Sequence, residues 1–389
     1  MSIRFLSLGA ALATGVVAAL FAAPVGATVA APVAGADEVD TTPGTVVSVE
    51  ELPGELWLPG TAEAKRITYW TIGSQGQPAL SSGAFFVPEG DAPEGGWPII
   101  GWAHGTSGVD DNCAPSIVGP AAVERDRQYL GTWLGQGYAI AATDYVGLGT
   151  PGLMPYLDGK VSAHSVVDSV KASRAVDDSL SNKWVAVGQS QGGGAAITTA
   201  RYATEFGGPE LDYRGAVGTG VPANIELALL PAGPGFLPMP VNKGLTTYAL
   251  YILSGLRTAH PEVNIDSYLT NEGRHAVDKA ETLCVLEAEE EFDGLVTGDL
   301  FSRPLSDIPN FYGLLNDYMG VPVDGYDRPV FIGQGLYDTD VPAPAALSLV
   351  AQMTANSEPV TLRTYPTDHS GALLQSQADS LPFVQRIFQ

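Results

Sequence analysis

Apolar positions in this chain fall into short unbroken runs, separated by stretches in which they recur at helical spacing. The runs Trp97–Ala103, Tyr138–Thr143, Trp184–Val187, Tyr213–Gly218, Pro329–Gly333 and Val360–Tyr365 are apolar along most of their length. Strands of that kind are buried on both faces and pair in parallel. Between them, Ala121–Gln136, Ser162–Val176 and the segment opening at Gly192–Ala196 carry the helical period, and the chain closes with a helix through Gln389. Upstream, Arg66–Ile72 and Gly83–Val87 are β-rich runs with Gly and Gln between them, and they read as a hairpin. Residues 37–60, punctuated by Pro and Gly, read as irregular. Strands that alternate with helices in this way predict an α/β fold with a mostly parallel central sheet and helices on both faces.

The rhythm stops between about Pro222 and Tyr326. That stretch holds a Pro/Gly-rich loop (Pro231–Pro240), an apolar helix-like run (Leu245–Leu256) and an acidic run (Glu287–Glu291). It reads as an inserted, mostly helical cap over the sheet's C-terminal edge, where open α/β sheets bind ligands. Its apolar residues Phe236, Met239, Leu245, Leu250 and Leu253 either line a tunnel for an acyl chain or form the cap's own core. With no repeat at solenoid periods, residues 37–389 read as one catalytic domain with the insertion at about 222–326.

Residues 1–36 read as a signal peptide and processing region. Arg4 supplies the positive start, Phe5–Ala23 is apolar, and small residues offer cleavage sites between Ala27 and Ala36. A retained anchor is the alternative, but Pro24 and Gly26 interrupt a run of borderline length. Export fits the composition. Acidic residues outnumber basic ones 43 to 19, for a formal charge of −24. That balance excludes nucleic acid as a partner, because phosphate binding needs clustered Lys and Arg, and it favours solubility outside the cell. The two cysteines, Cys113 and Cys284, are free to pair after export, and an even count in an exported chain favours a bridge over two buried thiols. No Cys-x-x-Cys or His-Glu-x-x-His segment marks a metal site.

Gly188-Gln189-Ser190-Gln191-Gly192 is a weak signal by itself in a chain with 46 glycines. Its context strengthens it. It follows the strand Trp184–Val187 directly and precedes Gly193-Gly194-Ala195-Ala196, giving the strand, sharp turn and helix of a nucleophile elbow. The turn forces the serine into a strained backbone region where bulky neighbours would clash. An ordinary glycine-rich phosphate loop is the bland alternative, but no Gly-x-Gly-x-x-Gly lies there.

A serine hydroxyl needs a base to take its proton. Of the five histidines, His369 follows the last predicted strand, where the base of such an enzyme belongs. The acid is expected on the loop after the preceding strand. That loop, Gly333–Pro342, offers Asp338 and Asp340. The register Gly-x-x-Asp-x-x-Val-Pro, common at this place in the α/β-hydrolase fold, selects Asp338 and leaves Asp340 to cap the helix beginning near Pro342. The order Ser190, Asp338, His369 is the one expected of that fold. For the oxyanion hole, Gln191 N–H follows the nucleophile, and Thr106 N–H in Trp102–Gly108 is the second candidate, helped by its hydroxyl. His104 reads as a shape-keeping residue of that loop, His164 as a packed helical residue, and His260 and His275 as surface residues.

Taken together, Trp102-Ala103-His104-Gly105-Thr106, Asn112-Cys113-Ala114-Pro115-Ser116, Asp144–Gly149, Gly188–Gly193 and the Asp338 and His369 segments resemble the secretory lipase family, which includes the fungal lipase A type and actinobacterial exported lipases. The resemblance covers most of the mature chain. It implies the α/β-hydrolase fold, a cap inserted after the sixth strand, and a bridge from the Asn-Cys-Ala-Pro-Ser cysteine to one in the cap, here Cys113 to Cys284. It also implies acyl-ester hydrolysis without a cofactor. Fungal members do not keep the His-Gly pair of the oxyanion loop, so Thr106 rests on the general His-Gly-x pattern. An apolar cap implies medium to long acyl chains and transient contact with a lipid interface, and no stable protein partner is implied. Two other classes stay open: an exported acyltransferase using the same three residues, and a non-catalytic binding protein on a hydrolase scaffold.

Overall fold

The computed structural model describes residues 39–237 and 242–389. The expected signal region and Met239 lie outside the described residues. Nine strands form one sheet in the order β1-β2-β3-β5-β4-β6-β7-β8-β9. β1 (Val46–Glu51), β2 (Thr61–Ile72) and β3 (Pro78–Pro88) are antiparallel neighbours, and β3 also pairs antiparallel with β5 (Ala139–Val146). β5, β4 (Trp97–Ala103), β6 (Leu180–Gln189), β7 (Asp212–Thr219), β8 (Val330–Gly335) and β9 (Val360–Tyr365) run parallel.

Residues 37–60 are not irregular throughout, since β1 lies within them. It is an edge strand with four of its six residues exposed, and its Glu50 and Glu51 pair with Arg66 and Lys65 on β2. An edge held by charged cross-strand pairs has little apolar periodicity to read.

Side chains alternate between the two faces, as a pleated strand requires. Ile99, Ala186, Ala216 and Ile332 face one apolar layer, and Ile100, Val185, Val217 and Phe331 face the other. The first layer is closed by α3 (Gly159–Val176), α4 (Gln191–Gly207) and α10 (Ala343–Ala355), and the second by α2 (Val123–Gly135) and α11 (His369–Phe388). Burial on both faces explains why the central strands carry unbroken apolar runs.

Between β7 and β8 the described chain holds helices joined by loops and turns, and one isolated bridge, Leu269 to Phe301. It carries α5 (Ile225–Leu229), α6 (Lys243–Ala259), α7 (Asn271–Ala280), α8 (Val285–Glu291) and α9 (Phe311–Met319). With β1 counted, the insertion follows the seventh strand of the nine. Leu250 and Leu253 are buried in the core. Leu253 and Phe236 surround a void of only about 20 Å³, and Leu245 is exposed. Leu250 and Leu253, with Phe236 packed against them, belong to the buried core cluster, the second of the two readings.

Candidate active site

Ser190 sits between β6 and α4 with φ 59° and ψ −126°. A side-chain-bearing residue pays on the order of 1–3 kcal/mol for such a conformation. The surroundings impose it. Ser190 N–H donates to Thr219 O at 2.9 Å, and Gly194 N–H donates to Ser190 O at 3.1 Å. A Cβ at Gly192 would fall on the Ala103 carbonyl oxygen, and one at Gly193 would lie 2.5 Å from Thr219 O. The elbow is therefore squeezed between the ends of β4 and β7, and only glycine fits beside the serine.

His369 opens α11, immediately after the turn that leaves β9. Its Nδ1 lies 2.6 Å from Asp338 Oδ2, and both residues are buried. The carboxylate is held from every side. Oδ1 accepts the N–H groups of Asp340 (3.0 Å) and Val341 (2.8 Å), and Oδ2 also accepts Gln334 Nε2 at 3.3 Å. Gln334 was not singled out from the sequence. Its only signal is a fully buried amide in an otherwise apolar strand. His369 Nε2 is buried without a partner. Gly220, at φ +55°, keeps room for the ring, since a Cβ there would meet His369 Cε1 at 2.7 Å.

Asp340 does not cap a helix. The N-cap of α10 is Pro342, with no side-chain hydrogen bond. Two residues stand between Asp340 and the first turn, too far for its carboxylate to reach the free N–H groups. It borders the cavity instead, where burial pushes its carboxyl up from the usual carboxylate range against the pull of His369.

Ser190 and His369 line one cavity of about 180 Å³. Gly105 and Thr106 form another part of its wall, and Tyr248, Leu286 and Glu289 reach it from the inserted segment. Gln191 is the first residue of α4, so its N–H has no carbonyl one turn earlier to bond. The Thr106 hydroxyl is 2.6 Å from Tyr156 Oη, and Tyr318 Oη donates to Tyr156 O at 2.7 Å. Burial pushes the Tyr156 phenol up, so it stays a neutral hydrogen-bonding partner.

The other histidines take structural places. His104 is buried against Tyr145, with Nε2 3.3 Å from Asp144 O. His164 stacks on Phe206 in α3 and α4, with ring centroids 3.6 Å apart, and burial pushes its pKa down to about 4. His275 is exposed, and partly exposed His260 contacts Glu262.

Cys113 and Cys284 form a disulfide with their Cα atoms 5.3 Å apart. Beside it, Val285 N–H donates to Ser107 O at 2.8 Å. Two of the motifs also meet. Asp144 Oδ1 accepts Ser116 N–H at 2.9 Å, and its other oxygen accepts Ser82 Oγ at 2.7 Å. The loop of the first cysteine is thus tied to the end of β5. Among the described residues, no group of three His, Cys, Asp or Glu is placed to hold a metal ion, and no helix is long and apolar enough to cross a membrane.

The secretory lipase family model matches residues 115–308, from α1 (Pro115–Val118) through most of the inserted segment, with the Ser190 elbow inside it. Over 368 residues the chain is 22% identical to lipase A of Moesziomyces aphidis, which covers 89% of this chain and 76% of that protein. Candida antarctica lipase A superposes with a TM-score of 0.70 at 19% identity, over 89% of this chain and 82% of that one. The rice cell wall degrading esterase of Xanthomonas oryzae does so with 0.69 at 17% identity, over 88% and 98%. The sheet order, the strained serine turn and the helices on both faces are those of the α/β-hydrolase fold, and residues 115–308 match the secretory lipase family.

Proposed function

We propose that the chain is an exported serine hydrolase that cleaves carboxylic esters of fatty acids through an acyl-enzyme. Ser190 Oγ attacks the ester carbonyl, and His369 Nε2 takes its proton. Asp338 fixes the ring so that Nδ1–H faces the carboxylate, and it stabilises the imidazolium without taking the proton itself. Gln191 N–H and Thr106 N–H receive the negative charge that develops on the carbonyl oxygen. His369 then hands its proton to the leaving alcohol, and water, activated by the same nitrogen, releases the acid.

The observation that carries this reading is the state of His369. Its Nδ1 is held 2.6 Å from a carboxylate fastened by three further hydrogen bonds. Its other nitrogen is buried and unpartnered in the cavity that Ser190 lines. His164 Nδ1 is also buried without a partner, so it is the carboxylate at Nδ1 together with Ser190 in the same cavity that supports His369 as the general base. The disulfide and the family support export, and the helical segment from about 222 to 326 acts as a cap, placing Tyr248, Leu286 and Glu289 on the cavity.

Ser190→Ala is expected to abolish ester hydrolysis and labelling by a fluorophosphonate while leaving thermal unfolding nearly unchanged. Retained activity in that variant would rule the assignment out, and product analysis with an added alcohol would expose acyl transfer.

A further inference from the structure

A polar cavity of about 470 Å³ lies where the inserted helices meet the catalytic body. α5 and α9 line one side of it, and α3, α4 and α10 the other. The junction is tied together by side chains. Asn224, at the head of α5, donates through Nδ2 to Ala345 O at 3.2 Å and accepts Gln352 Nε2 on its own oxygen at 3.3 Å. Among the described residues, none lines both this cavity and the one that holds Ser190 and His369.

Its wall holds polar groups that the rest of the fold does not engage. Glu226, in the first turn of α5, is only 6% exposed, yet its Oε2 has no hydrogen-bond partner among the described residues. Burial raises its carboxyl above the usual carboxylate range. A buried polar group in that state costs free energy unless a further partner satisfies it. Lys160 has no carboxylate at ion-pair distance among the described residues, and its Nζ stands 5.8 Å from the centroid of the Tyr202 ring. On the same wall Tyr312 is 47% exposed.

We infer that this cavity binds a neutral hexose unit, at a site separate from the ester chemistry and independent of the hydrolase reading above. The wall argues against the other classes of small ligand in turn. A hydrocarbon chain would strand Glu226 and Lys160 without partners. A phosphate or sulfate would meet Glu226, Asp317 and Asp324, with one lysine to hold it. A metal ion finds no group of three acidic, His or Cys ligands among the described residues. An ammonium group would be repelled by Lys160. A sugar hydroxyl both donates and accepts, so one ring satisfies Glu226 as acceptor and Lys160 as donor. The C–H face of the ring then rests on the open side of Tyr312. Such a ring belongs either to a free glycan or to the headgroup of a glycolipid.

Two binding measurements on the purified protein test this. One is saturation-transfer NMR with maltotriose, cellotriose and mannotriose. The other is co-sedimentation with phosphatidylcholine vesicles with and without digalactosyl diacylglycerol. Saturable binding to a trisaccharide is expected for a free glycan, and binding that requires the galactolipid is expected for a headgroup. Tyr312→Ala and Lys160→Met, both at exposed positions, are each expected to weaken that binding at least about tenfold, the loss of one good contact. Both are expected to keep the parent kcat/KM for p-nitrophenyl acetate. Glu226→Gln preserves the side-chain size and is expected to weaken binding by as much, and the two exposed variants decide the matter if it does not fold. Binding that survives the exposed changes places the sugar elsewhere and overturns the inference. Absence of saturable binding in both measurements, or saturation by spermidine and by no sugar, overturns it as well. Ser190→Ala is expected to bind like the parent, so the result holds whether or not the protein hydrolyses esters.

Discussion

Val285 donates its backbone N–H to the carbonyl of Ser107, 2.8 Å away, one residue beyond the Cys113–Cys284 bridge. The first turn of α8 is therefore pinned to the loop that carries Thr106, by one covalent and one hydrogen-bonded link. The same helix brings Leu286 and Glu289 to the cavity of Ser190. Stability and cavity shape are coupled at this point.

The bridge closes a sequence separation of 171 residues. Long loops lose the most denatured-chain entropy when closed, and removal of such a bridge costs about 2–5 kcal/mol. Cys113→Ala/Cys284→Ala is expected to lose that much in denaturant unfolding. Because α8 loosens over the cavity, KM for a medium-chain ester is expected to rise more than kcat falls. A double variant with parental midpoint and parental KM would show that the hydrogen bond alone holds α8.

Asp338 and Asp340 stand two residues apart and have opposite fates. Asp338 Oδ2 meets His369 Nδ1, whereas Asp340 borders the cavity without touching the ring nitrogens. Asp338→Asn presents an amide where the imidazole needs an acceptor and stabilises the wrong tautomer, so kcat is expected to fall about 10⁴-fold. Asp340→Asn is expected to change kcat by less than about tenfold, since it removes only a nearby charge. A reversal of these two magnitudes, read from steady-state kinetics on one ester, would reassign the acid.

Legibility in the sequence follows how local each requirement is. The elbow could be read because its tightest glycine requirement is local, a Cβ at Gly188 falling on the carbonyl of Gly192 four residues on. The central strands could be read because both faces are buried. β1 could not, since it is itself an edge strand and its ties are Glu50 and Glu51 to β2. Gln334 and Tyr156 were missed for a different reason. Each acts through another side chain and carries no motif of its own, Gln334 through Asp338 four residues on and Tyr156 through Thr106 across 50 residues. The choice between a tunnel and the cap's own core stayed open for a related reason, because helical spacing identifies an apolar face and does not say whether another helix already covers it.

His164 supplies a pH dependence that is independent of the active site. Burial lowers its pKa to about 4 from an ordinary 6.5, and Lys171 adds to the shift. Asp168 Oδ2 lies 3.8 Å from its Nδ1, beyond hydrogen-bond reach, while Lys171 holds the other carboxylate oxygen at 3.0 Å. A depressed histidine pKa means that the unfolded chain binds the proton more readily, so the contribution of His164 is present above pH 6.5 and is lost as pH falls toward 4. His164→Gln is expected to flatten the stability curve across that window relative to the parent, by at most about 3 kcal/mol. The carboxyl of Asp168, raised to about 6 by its own burial, contributes stability that is lost in the opposite direction, as pH rises through 6. It is present in both proteins, so the difference between their unfolding curves isolates the histidine. Parallel curves from pH 7 to 4 would show that His164 protonates freely in the fold.

In the mechanism proposed above Thr106 offers two donors, its N–H and its hydroxyl, and their surroundings differ. The hydroxyl lies 2.6 Å from Tyr156 Oη, and Tyr156 is itself held through its carbonyl by Tyr318. A hydroxyl satisfied in this way has little left to offer an incoming charge, whereas the N–H is unaffected by the side chain. Thr106→Val keeps the backbone donor and the side-chain volume, and kcat is expected to stay within about tenfold of the parent. A loss of 10²–10³-fold, the usual effect of deleting one oxyanion donor, would instead make the hydroxyl the donor and Tyr156 the residue that aims it. Tyr156→Phe separates the two outcomes. It frees the Thr106 hydroxyl to rotate, so it lowers kcat only if that hydroxyl is the donor. With the N–H as donor, Tyr156→Phe leaves kcat near the parent value and registers as a loss of stability of about 0.5–1.5 kcal/mol, the net worth of one hydrogen bond, since the half-buried Thr106 hydroxyl can still meet water.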